Sequence, residues 1–157
     1  MSAAEFVVFA SISASVLCWA VGEGMRSRGA WMAGALLALT HSIAAFGVFY
    51  QWSHVTAEQL TTEQAARLTG ATFSGGIYVN YLFVAVWLAD AAWWSTRPAN
   101  YETRSRAVSF AIRAFIFVII VNGAIVFADG IARAVGIASV AFAILARARE
   151  RTQRRSP

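Results

Sequence analysis

Residues 107–128 read AVSFAIRAFIFVIIVNGAIVFA, and Arg113 is the one charged side chain among them. A helix crossing the hydrocarbon core of a bilayer needs about 20 mainly apolar residues. This stretch has that length and no proline, so it reads as a membrane span. Asp129-Gly130 follows as a turn, then a shorter run, 131–146, rich in Ala and Gly. On the N-terminal side, a loop with Arg97, Pro98, Glu102, Arg104 and Arg106 leads back to the run 75–95, which closes on Trp93-Trp94. Two more apolar runs, 3–22 and 30–52, precede it. The pattern predicts an all-α integral membrane bundle of five transmembrane helices, forming a single domain over 1–146, with a basic tail at 147–157.

Composition agrees. The 157 residues are 59% hydrophobic and 13% charged, with a mean hydropathy of +0.58. Soluble domains are about 45–50% apolar and about 25% charged, and a fold this small has too little interior to hide such a surplus from water. Cys18 is the only cysteine, so no internal disulfide forms. The first run has neither a basic leader nor an A-x-A cleavage site, and is expected to be a retained helix.

All thirteen basic residues are arginine, which with the high alanine content points to a GC-rich bacterial genome and hence to a bacterial inner membrane. A pI near 10.3 would suit a nucleic-acid partner, but the distribution argues against one. Five arginines fall in Arg147–Arg155, and most of the rest lie in short loops. Such a pattern is expected to report topology or contact with anionic lipid. With the N-terminus outside, the inner segments hold Arg26 and Arg28, then Arg97, Arg104 and Arg106, then the tail; the outer ones keep Arg67 and Arg133. Five spans, N-terminus out and C-terminus cytoplasmic, satisfy the rule that inner loops carry the excess of arginine.

The longest polar stretch, 53–73, has its own signals. Thr56 and Gln59 resemble a capping box, and Gly70 supplies a stop. Val55, Leu60 and Leu68 share a partly apolar face. A short amphipathic helix, 57–69, is expected over the outer mouth of the bundle.

Polar groups inside hydrocarbon are costly and usually face protein. Asp90 and Arg113 each sit about two turns in from the inner ends of consecutive spans, so an intramembrane Asp90–Arg113 ion pair is expected. His41 lies mid-span in Thr40-His41-Ser42. It reads first as a hydrogen-bonded structural residue and second as a ligand for haem. The other histidine, His54, is too far along the same run to complete a bis-histidine site. His54 and Glu58, four apart, form a weak candidate metal pair. Tyr78, Asn80, Tyr81 and Asn122, near the outer ends of their helices, are expected to gather with His41 in a polar pocket or to act as interhelix glue. Trp52, Trp93 and Trp94 read as interface anchors and Trp19 and Trp31 as flanking the inner end of the first hairpin, leaving Trp87 inside.

No Walker loop, dinucleotide fingerprint, G-x-S-x-G, H-E-x-x-H or C-x-x-C occurs, so no catalytic residue is assigned. The expectation is a small multi-span membrane protein of unassigned activity, serving as an accessory or binding subunit among membrane lipid, in a homo-oligomer or a larger complex. A small-molecule or proton-coupled carrier and a haem- or metal-binding redox protein are the alternatives.

Overall fold

The computed structural model describes residues 2–153; Arg154 and Arg155 of the expected tail lie outside them. The described residues form helices α1 (Ala3–Met25), α2 (Arg28–Val48), α3 (His54–Thr69), α4 (Gly76–Thr96), α5 (Pro98–Thr103), α6 (Arg106–Val121) and α7 (Gly130–Gln153), with a π-helical turn, Asn122–Val126, extending α6. The fold is an all-α bundle. Five helices are long and apolar enough to cross a membrane: α1, α2, α4, α6 with its π-turn, and α7 over Gly130–Glu150.

Local chemistry sets the ends. Ser2 and Glu5 form a reciprocal capping box at the start of α1. Ser27 and Ser105 cap α2 and α6 by accepting the backbone N–H three residues on. Pro98 opens α5, where its missing N–H costs nothing. The cap of α3 differs from expectation. Ser53, not Thr56, accepts the N–H of Thr56, and the helix starts at His54 instead of 57. α2 stops four residues short of the expected Trp52 because Gln51 and Trp52 turn left-handed. The Trp52 N–H reaches back to the Phe46 carbonyl at 3.0 Å, and its indole lies against Gly47, where a Cβ would come within 2.8 Å of the ring. α7 does not end at Ala146; it runs on to Gln153.

The long helices close into a ring of neighbours. α1 packs on α2 and α7, α2 on α4, and α4 on α6; α7 meets the π-turn that follows α6. Small residues permit the closest approaches. Gly22 faces the Trp31 backbone and Gly24 faces Ala146, each with no more than 3.0 Å for an added Cβ. Ser15 donates to the Gly34 carbonyl at 2.8 Å, tying α1 to α2 in the interior, as small and hydroxyl residues do where helices associate in lipid.

The centre of the ring is aromatic. Trp19, Trp31 and Trp87 are fully buried with Ile116, and Ile120, Val140 and Ala143 complete the packing. Trp19 and Trp31 are therefore core residues and not flanking anchors; Trp94 is also buried, stacked on Tyr101 at 5.0 Å. Trp52 is exposed as an interface anchor would be. The outside is as apolar as the inside. Only 11–33% of each span is buried in the bundle, and Phe110, Leu82 and Ile144 stand exposed. Exposed apolar surface on this scale suits a membrane-embedded protein.

Candidate functional site: an ion network at the arginine end

One end of the bundle collects the α1–α2 turn, the α4–α5–α6 connection and the last turns of α7. Here the ion pairs that join different spans are found, whereas Glu5 and Arg133 lie near the other ends of their helices. Asp90, near the end of α4, is 2% exposed. One carboxylate oxygen accepts the Trp31 indole N–H and the Tyr101 hydroxyl, both at 2.9 Å; the other accepts Arg104, whose guanidinium is almost as buried. Arg104 also donates to the Tyr101 oxygen at 2.9 Å and, through Nε, to Ser109 at 2.8 Å. It lies over the Tyr101 ring, 3.8 Å from the centroid, which adds a cation–π contact. Burial first, then the Asp90 carboxylate, push the Tyr101 phenol up to about 12. Tyr101 thus remains a protonated donor at any physiological pH.

The expected Asp90–Arg113 pair is not formed. Arg113 bonds Glu23 of α1, and Glu23 also accepts Arg147 of α7 at 3.2 Å. Arg147 reaches Glu150 at 3.3 Å. The reason is the helix α5. It folds under the end of the bundle and carries Tyr101 and Arg104 to Asp90 before α6 begins, so the carboxylate is already satisfied. α1 in turn extends past the expected Gly22 to Met25, which places Glu23 on a helix facing α6 and α7. The two clusters meet at Trp31. Its N–H is bonded to Asp90, and the Arg113 guanidinium sits 5.5 Å from its ring centroid. Six helices are thereby locked through two shared carboxylates, each satisfied by two or more charge-assisted bonds.

The other candidates fall elsewhere. The His41 Nδ1–H donates to the Val8 carbonyl at 2.9 Å, joining α2 to α1. His54, at the start of α3, has one ring nitrogen 3.1 Å from the Tyr78 hydroxyl and the other 3.2 Å from that of Tyr81. The tyrosines expected to gather with His41 are thus held by His54 on the surface at the opposite end. Asn80 is exposed, and Asn122 opens the π-turn. Glu58 is half-buried, and among the described residues no group of three or more His, Cys, Asp or Glu converges as a metal site. Sequence reasoning missed Arg104, Tyr101, Trp31, Glu23 and Arg147. The one signal for the first two was Pro98 followed by six helix-compatible residues, which marks a short helix where a loop was expected.

Chemically, the network is a closed set of donors and acceptors. Asp90 holds three donors and Glu23 two guanidinium groups. The Asp90 carboxylate is sealed in the interior, Glu23 borders an open groove between α1, α6 and α7 in which Arg147 covers it, and the tryptophan-lined core separates both from His41. The chain matches no protein-family model, no curated protein and no solved structure.

Proposed function

We propose that this chain is a small multi-span membrane protein that serves as an accessory or binding subunit and acts through its lipid-facing surface. The observation that carries this reading is the pairing of the ionisable groups within the spans. Asp90, Glu23, Arg113 and Arg147 are consumed at one end, and His41 is spent on a backbone carbonyl. A carrier needs polar groups that exchange partners along a path; here aromatic and aliphatic side chains fill the space between. What is left to recognise another molecule is the outer surface, where the α6 span is only 11% buried.

The test is reconstitution of the purified chain into vesicles under a pH gradient, together with mild-detergent co-purification from its native membrane. Proton leak equal to that of protein-free vesicles, a spectrum without a Soret band, and a larger assembly recovered intact are the expected results. A flux above that of protein-free vesicles, abolished by His41→Ala in a variant that still folds, would overturn the reading in favour of a carrier.

The same reading places the arginine end in the cytoplasm of a bacterial cell, with the N-terminus outside. In a Cys18→Ser background, cysteine at position 62 on α3 is expected to react with an impermeant maleimide in intact cells. Cysteine at position 102 on α5 is expected to react only after lysis. The reverse pattern inverts the orientation.

A further inference from the structure

The ion network uses up Asp90, Glu23 and Glu150 and leaves cations over at its end. Arg26, Arg28, Arg97, Arg106 and Arg149 are exposed there and, among the described residues, enter none of the ion pairs that hold Arg104, Arg113 and Arg147. They stand at three corners: the α1–α2 turn, the α4–α5–α6 connection and the end of α7. Glu102 is the one exposed acid among them. Two of these arginines have a second feature in common. Phe110, one turn along α6 from Arg106, is 75% exposed, and Leu145, one turn before Arg149 on α7, is 60% exposed. Residues four apart share a helix face, and in both cases the apolar member lies nearer the bilayer middle.

A cation at headgroup depth with an exposed apolar side chain one turn deeper matches the two halves of a phospholipid. The surplus of positive charge selects the anionic kind, since a zwitterionic headgroup brings its own cation. We propose that the arginine end binds anionic phospholipid, with Arg106–Phe110 and Arg149–Leu145 as its two seats. This holds whether or not the subunit reading does, because it needs only the chain and a bilayer.

The experiment is native mass spectrometry of the whole purified chain, exchanged from detergent micelles doped with phosphatidylglycerol or with phosphatidylcholine. Phosphatidylglycerol is expected to be retained preferentially and to be released as ionic strength rises. Arg106→Gln and Arg149→Gln are each expected to weaken its retention about fivefold, and Phe110→Ala to weaken it without changing the net charge. Arg67→Gln, at the far end, is expected to leave it unchanged. Equal retention of the two lipids, unaltered binding in the Arg106→Gln/Arg149→Gln variant, or displacement by equimolar inorganic phosphate would each overturn the proposal; the last would mark a site for free anions. These side chains are on the surface, where substitutions rarely cost more than about 0.5 kcal/mol, and helicity measured by circular dichroism confirms that the variants are folded.

Discussion

Replacing Asp90 by alanine is expected to destabilise the bundle by about 3–5 kcal/mol, the range for breaking a buried ion pair from one side. The carboxylate is 2% exposed and accepts three donors. Its removal leaves the Arg104 guanidinium, which is almost wholly buried, without a counter-charge. The Trp31 indole N–H loses its acceptor as well. Asp90→Asn is expected to recover only part of the loss, because a neutral amide can accept from Trp31 or Tyr101 but cannot neutralise Arg104. Unfolding in mixed micelles, followed by tryptophan fluorescence, measures all of these.

A double-mutant cycle then distinguishes the partners. Asp90→Ala and Arg104→Ala are expected to be strongly non-additive, with a coupling of about 0.5–3 kcal/mol, because once the carboxylate is gone the guanidinium is a liability whose removal brings relief. Asp90→Ala and Arg113→Ala are expected to couple more weakly than that, through their shared neighbour Trp31, since the counter-ion of Arg113 is Glu23. A coupling to Arg113 larger than that to Arg104 would restore the pairing that helix counting suggests and remove the one described here.

That contrast shows where sequence reading succeeds and where it stops. The spans are legible because bilayer thickness imposes a length and a composition on each of them, and both are written in the linear order of residues. Gly70 and the Asp129-Gly130 turn are legible for a similar reason: a left-handed backbone, seen at Gly70 and Gly130, favours glycine. Ion-pair partners obey no such local rule. Asp90 and Arg113 lie at matching depths on consecutive spans, so depth alone makes them a pair. Depth says nothing of azimuth, nor of a six-residue helix inserting two competing side chains. Trp31 shows the same limit. A tryptophan near a span's end fits an interface anchor, but its indole N–H found a buried carboxylate on another helix instead. His54 repeats the lesson at the far end. Its spacing to Glu58 suggests a shared helical face, whereas its actual partners, Tyr78 and Tyr81, come from a helix two dozen residues on.

Gly136→Ala is expected to be the most damaging of the conservative substitutions on α7. A Cβ at this position would lie 2.2 Å from the Ala124 carbonyl oxygen and 2.8 Å from the Ala124 carbonyl carbon. Both are backbone atoms of the π-turn, so no side-chain rotation relieves the clash. Either α7 moves outward or the π-turn rearranges, at a cost of about 1–3 kcal/mol or more. Gly29→Ala, on the first turn of α2, supplies the control. Nothing lies within 4 Å of its added Cβ, and alanine is a better helix former than glycine by up to about 1 kcal/mol, so that variant is expected to be neutral or slightly more stable. The displacement in Gly136→Ala has a distant consequence too, because α7 carries Arg147 to Glu23 at the other end. Loosening α7 should therefore raise amide exchange around Glu23 as well as around Ala124. If Gly136→Ala unfolds at the same point as the parent chain, the close seating of α7 on the π-turn is wrong, and with it the closure of the helix ring through that contact.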